Sequence, residues 1–241
     1  MSALGHYLEE EGIATVAISL IRPQTEHTKP PRALWVPFEL GRPFGPPSDP
    51  PFQRRVTLAA LRLLERASGP VIIEDFPEDD PRAQPDPSWH PPPVPASIDG
   101  SAEALAARLE SEIPLLQGAH DRWFARHGRT AIGLSALSIA DCGRYVADWV
   151  RGKAPPSPRD GFSAPLMLRF AVDDVKAYYL EAGAGAGRPS SRQLGDWFWD
   201  ETTAGAAIHA LRTACLAGDD ERLKLIAGNF MVPAARVRSV S

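Results

Sequence analysis

Cysteine is nearly absent from this sequence. Cys142 and Cys215 stand alone, far apart and outside any C-x-x-C, so neither a secreted disulfide framework nor a cysteine-based zinc site has support. Long apolar runs are also missing. An uncharged one such as "IATVAISLI", from Ile13 to Ile21, is far too short to span a bilayer. Charge of one sign is scarce too: the formal net charge is −4, and Lys and Arg are scattered among acids. A nucleic-acid groove would need a basic stripe, so nucleic acid is not expected as a partner. The start, with "HYLEEEG", is acidic and lacks the basic and apolar regions of a leader. A cytoplasmic location is the expectation, with no membrane association.

Histidines are dispersed (His6, His27, His90, His120, His127, His209), and none forms H-x-x-x-H. No metal is expected, and no cofactor is called for, because neither G-x-G-x-x-G nor a P-loop occurs. A G-x-S-x-G elbow is missing as well. A Ser–His–Asp triad assembled in space stays open on these grounds.

Proline, in contrast, is abundant at 25 residues, and eight of them fall between Pro77 and Pro95. Proline has no amide donor and biases the preceding residue toward extended backbone. Residues 77–98 therefore read as a linker or surface strap. It separates an α/β region, residues 1–76, from a helical region, residues 99–241.

In the first region "ALGHYLEEE" reads as a helix ended by Gly12. "ATVAISLI" is apolar on both faces, as an inner parallel strand would be. "RALWVPF" is a second strand, with Pro37 at its end or at a kink, and "PVIIED" a third. Between these, "DPPFQRRVTLAALRLLER" is a helix capped by Asp49, with Val56, Ala59, Ala60, Leu63 and Leu64 as its apolar stripe. Strand, crossover, strand implies a small parallel α/β layer. The fold class is α/β, followed by a mostly helical C-terminal domain.

In the second region Asp99 or Ser101 can start a helix that Pro114 kinks or breaks. Ser138 can cap "IADCGRYVADWVRG". "APLMLRFAVDDVKAYYLEAG" puts Met167, Ala171, Val175 and Tyr178 on one face, with Arg169, Asp173 and Lys176 opposite. "AGAGAG" (Ala182 to Gly187) reads as a flexible hinge between helices. "GDWFWDETTAGAAIHALRTAC" reads as one continuous helix on which Trp197, Glu201, Ala204, Ile208 and Cys215 share a side. Asp219 can cap the last short helix.

Candidate functional residues are few. "GRPFG" (Gly41 to Gly45) follows the second strand; physics alone favours a structural corner, since its prolines remove donors a phosphate cradle would use. The acidic "EDFPEDDP" lacks the ligand spacing of a calcium loop and reads as solvated. Glu201, if buried among apolar neighbours, needs a partner such as Asp174 or Arg144 from another helix; at a helix edge it needs none. The two cysteines read as small buried apolar residues.

The run from "HYLEEEGIATV" through "PRALWVPF" and "LGRPFGPPSDP", with Gln53 and the long helix after it, resembles the C-terminal part of the selenoprotein B family of glycine/sarcosine/betaine/D-proline reductases. The match spans roughly residues 5–76. The resemblance implies that the Gly/Pro corner lies beside an active site. It also implies that a small amino-acid-like ligand binds there, with Gly41, Arg42 and Gly45 lining the site; Glu201 and His209, outside the matched run, are further ligand-binding candidates read from the helical region. Arg42 would pair with a ligand carboxylate. The family's reactive cysteine or selenocysteine belongs to a C-x-x-C/U motif just ahead of this segment; here "MSAL" stands at that point, so no catalytic residue carries over. The implied protein is reductase-like but lacks the redox nucleophile. A second reading is a non-catalytic accessory subunit, completed by a protein partner or by homo-oligomerisation, because three strands are few for an α/β sheet. A third is another class of enzyme using Glu201, His209 or Asp174.

Overall fold

The structure is a computed structural model and describes residues 2–66, 70–95 and 100–237. The chain forms two compact units, Met1–Gln84 and Pro85–Ser241.

The first unit is a three-stranded parallel sheet with helices. Helix α1 (Ser2–Glu10) ends where Gly12, at φ +80°, donates its amide to the Glu9 carbonyl at 3.0 Å. Strands β1 (Ala17–Ser19), β2 (Arg32–Trp35) and β3 (Ile72–Asp75) lie in the order β1-β2-β3. The registers align Ser19, Trp35 and Asp75 in one row. The apolar run chosen as an inner strand is therefore an edge: β1 is half-buried, whereas Ala33 and Leu34 of β2 are buried. A parallel inner strand and a half-covered edge strand share the same apolar composition, and only pairing order tells them apart.

Helix α2 (Arg22–Thr28) is a further departure from the sequence reading, which ran strand through Ile21 and saw no helix after it. Pro23 in the first turn and Lys29 in the left-handed conformation bound it. At seven residues it carries too little apolar periodicity to declare itself. Helix α3 (Pro50–Arg62) begins as expected: the Asp49 side chain accepts the Phe52 amide at 3.1 Å. Its Phe52, Val56 and Ala60, with Leu63 of the following 3-10 turn, pack on Leu34 and Val36. Phe38, Phe52 and Phe76 close that layer with ring centroids 5.5–6.0 Å apart.

The second unit is helical. The polyproline segment at its start is clamped: Asp86 and Gln193 exchange two hydrogen bonds of 2.8 Å, and the Trp89 indole donates to the Gly183 carbonyl at 3.1 Å. Helix α4 (Ala102–Glu112) is capped by Ser101; Asp99, the other candidate, lies outside the described residues. Pro114 turns the chain through one 3-10 turn into α5 (Gln117–His127). Ser138 caps α6 (Ile139–Val150), and Ser163 caps the central α7 (Ala164–Gly185). Met167, Ala171, Val175 and Tyr178 are all buried on the expected face of α7.

The glycine run corrects the hinge expectation. Helix α7 continues into it and ends at Gly185, where an added Cβ would sit 2.0 Å from the Ala119 carbonyl oxygen. Glycine here permits a close helix crossing. The Trp-rich stretch is not one helix either. Helix α8 (Ser191–Asp196) passes into a π-turn, Trp197–Glu201; extended Thr202 then breaks the ladder and caps α9 (Thr203–Ala217). Thr202 Oγ1 donates to the Phe198 carbonyl at 2.6 Å and accepts the Gly205 amide at 3.1 Å. Trp197 and Glu201 thus belong to a separate turn from Ala204, Ile208 and Cys215. The final α10 (Glu221–Ile226) is capped by Asp220 rather than Asp219. Among the described residues no helix is long and apolar enough to cross a membrane.

Candidate functional site

In parallel α/β sheets ligands gather beyond the carboxyl ends of the strands. Here that end carries the row Ser19, Trp35 and Asp75. Arg22, in the first turn of α2, closes over it: its guanidinium pairs with Asp75, reaches Glu26 at 2.9 Å and lies 5.7 Å from the Trp35 ring centroid. Ser19 and Thr25 share a hydrogen bond through their hydroxyls. These residues had no sequence signal, since only the register of three strands assembles them. The cation of this group is already matched by two carboxylates.

The Gly/Pro corner lies after β2. Gly41 and Gly45 hold φ of +91° and +83°, which a β-carbon disfavours. At Gly45 an added Cβ would also meet the Phe52 ring at 2.4 Å. Gln53 Nε2 donates to the Pro46 carbonyl at 3.0 Å and ties the corner to α3. Arg42 is exposed and faces Glu39 at 3.6 Å, so its charge has a partner within the corner.

The remaining feature of this unit is the open side of β3. Ile72 and Phe76 donate their amides to β2 (to Pro31 and Trp35 carbonyls, 3.0 and 2.8 Å), so the alternate residues Ile73 and Asp75 direct theirs outward. Beside this edge runs a groove of about 440 Å³, lined among others by Leu34, Ala59, Leu63, Glu74 and Phe76. Its rim carries the Arg66–Glu74 ion pair, and Val71 is exposed at the start of the edge.

In the helical unit the candidates separate. Glu201 is exposed and lines a groove with Pro91, Pro92, Pro93, Val94, Trp197 and Asp200. His209, half-buried on α9, packs edge-on against Trp199 at 5.2 Å. Asp174 is fully buried and structural in its contacts. It accepts the amides of Gly133, Leu134 and Ser135 at 2.8–3.0 Å and the Ser135 hydroxyl at 2.5 Å. Two further buried carboxylates escaped the sequence reading. Glu181 accepts from His120, Thr130 Oγ1 and the Ala131 amide, while Glu112 accepts from the Tyr179 hydroxyl and the Thr203 amide. Acidic residues inside helices look alike in sequence whether they face water or a loop's amides.

Thiol chemistry finds no footing. Both cysteines are buried and unpaired. Burial pushes the Cys142 thiol up to about 11 and raises that of Cys215, leaving both protonated near neutrality. Among the described residues no group of three His, Cys, Asp or Glu side chains is placed to hold a metal ion. Compared with known proteins, the chain matches no family model, no curated protein and no solved structure.

Proposed function

We propose that the chain is a non-catalytic interaction subunit whose α/β layer is completed by a partner protein. One observation carries this reading: β3 presents the outward amides of Ile73 and Asp75 along an edge that no other described strand pairs, with a partly apolar groove beside it. An extended segment added there gains main-chain hydrogen bonds from the edge and side-chain contacts from the groove. Exposed hydrophobics support the same reading. Leu4, Tyr7, Ile13, Ile21, Leu40, Phe44, Leu58, Leu61 and Val71 all lie in residues 1–84.

The amino-acid-like ligand reading draws less support, because Arg42 and Arg22 already face carboxylates that a ligand would have to displace. The relation to selenoprotein B reductases enters this proposal as one of scaffold, without the thiolate step. The cytoplasm is the compartment in which the partner would be met.

The test is Ile73→Pro. Proline at this position removes an amide that points away from β2 and leaves the internal ladder whole. Native mass measured in extracts of the source cells is expected to exceed the chain's own 26.1 kDa for the wild type and to fall to it for the variant. A wild-type chain that runs at its own mass there overturns the reading.

A further inference from the structure

A second surface, in the helical unit, has a charge that its surroundings do not answer. On α5 the residues Arg122 and Arg126 are one turn apart on one stripe, and Arg129 follows just past the Gly128 cap. All three are exposed and, among the described residues, none forms an ion pair. Some exposed arginines elsewhere meet acids, as Arg55 does Glu78 and Arg144 does Asp141, while others such as Arg54 stand singly; on α5 they are clustered. Asp121, the one acid in the same turn, instead accepts from the Gln117 amide at 2.7 Å.

The placement follows from how α5 packs. It runs beside α7, with Tyr178 donating to the Ile113 carbonyl, His120 meeting Glu181, and Ala119 against Gly185. Helix α7 stops at Gly185, whose carbonyl accepts from Arg122 Nε at 3.5 Å. The last turn of α5 therefore projects past the end of its neighbour, and nearly every residue from Asp121 to Thr130 is exposed. The stripe that packs on α7 at Ala119 continues bare as Arg122 and Arg126. Arg188, also exposed and unpaired, is three residues beyond Gly185, within about 11 Å of chain. Beside the arginines, Trp123 stacks on His127 at 3.6 Å, its buried indole nitrogen without a hydrogen-bond partner, and Phe124 on the neighbouring flank is 48% exposed.

We propose that this projecting end of α5, with Arg188, is a docking surface for an acidic segment of a partner protein. Arginine forks match carboxylates in pairs, and unpaired exposed guanidiniums cost nothing to redirect toward a ligand. The arginine stripe spans only about 10 Å, too short to track a nucleic-acid backbone, and the chain as a whole is acidic at −4. Aromatic rings beside the arginines suit a peptide that carries apolar residues among its acids. This inference does not rest on the open edge of β3 and stands or falls separately from it.

The experiment is fluorescence anisotropy of the full chain with a fluorescein-labelled peptide of repeated Glu-Glu-Leu units. The wild type is expected to bind, more weakly as salt rises. Arg126→Glu/Arg129→Glu is expected to lose about tenfold or more in affinity, with an unchanged circular dichroism melt. Arg54→Glu, at an exposed and unpaired arginine of α3, is expected to bind as the wild type does. No binding by the wild type overturns the proposal, as does equal binding by Arg126→Glu/Arg129→Glu. So does a thymidine oligonucleotide that binds as tightly as the peptide.

Discussion

The two units bury themselves by different means. In residues 1–84 the core cluster is eight side chains around Phe38, Phe52 and Phe76, laid on one face of three short strands. Among the described residues of 85–241 it is thirty-two, drawn mostly from α4, α6, α7, α9 and the turns between them. The helical unit also takes carboxylates inside. Asp174 and Glu181, two helical turns apart on α7, hold the backbone of residues 131–135 from within. Such a carboxylate is stable when several donors converge on it, and removing it strands them all. The α/β unit also buries one, Asp80, but its sheet of three strands ends in the edges β1 and β3. The comparison teaches that size alone does not separate the units: one ties its loop backbone to internal carboxylates, and the other leaves backbone donors of β3 facing outward.

The largest effect should come from breaking the polar anchor. Asp174→Ala leaves three amides and the Ser135 hydroxyl without their acceptor, and is expected to destabilise the helical unit by about 4 kcal/mol in urea unfolding. A loss below about 1 kcal/mol would show that water replaces the carboxylate and would dissolve the contrast. The apolar counterpart is Phe52→Ala, which removes one corner of the aromatic triangle. It should cost about 3 kcal/mol, read as faster amide exchange in β2 and α3.

The smallest effect concerns pH. Glu9 accepts the Thr15 amide at 2.7 Å and pairs with Arg32; those contacts, the backbone one foremost, hold its carboxyl below the usual range. A depressed folded pKa contributes stability above the unfolded value, and that stability is lost as pH falls through the folded value. Glu9→Gln should therefore lower the α/β unit's stability slightly at neutral pH, by about 1 kcal/mol for a partly buried pair. The gap from wild type should close in acid. A gap independent of pH would assign the effect to packing instead.

Several features were legible without coordinates. Asp49, Ser101 and Ser138 sit where a side-chain oxygen precedes an apolar-periodic run, and each caps its helix. The Met167–Tyr178 stripe of α7 and the effect of Pro114 followed equally from local rules. The candidate sites fared differently. Gly41, Arg42 and Gly45 form a tied corner, while Glu201 and His209 lie on different elements, an exposed turn and α9. The row Ser19–Trp35–Asp75 and the carboxylates Glu112 and Glu181 gave no local signal at all.

What the chain determines by itself is thus what depends on neighbours a few residues away: helix starts, proline breaks, apolar stripes and the α/β-then-helix order. Tertiary structure alone decided that β1 is an edge, that the AGAGAG run is a crossing rather than a hinge, and that Thr202 splits the Trp-rich stretch. In the first two cases the deciding atom comes from a distant segment, and at the Thr202 break the Thr203 amide is taken by Glu112 of α4. Strand order is set by which backbone supplies the hydrogen bonds, and the glycine's role by the Ala119 carbonyl that meets it. Local propensity cannot encode a contact whose other half is elsewhere in the chain.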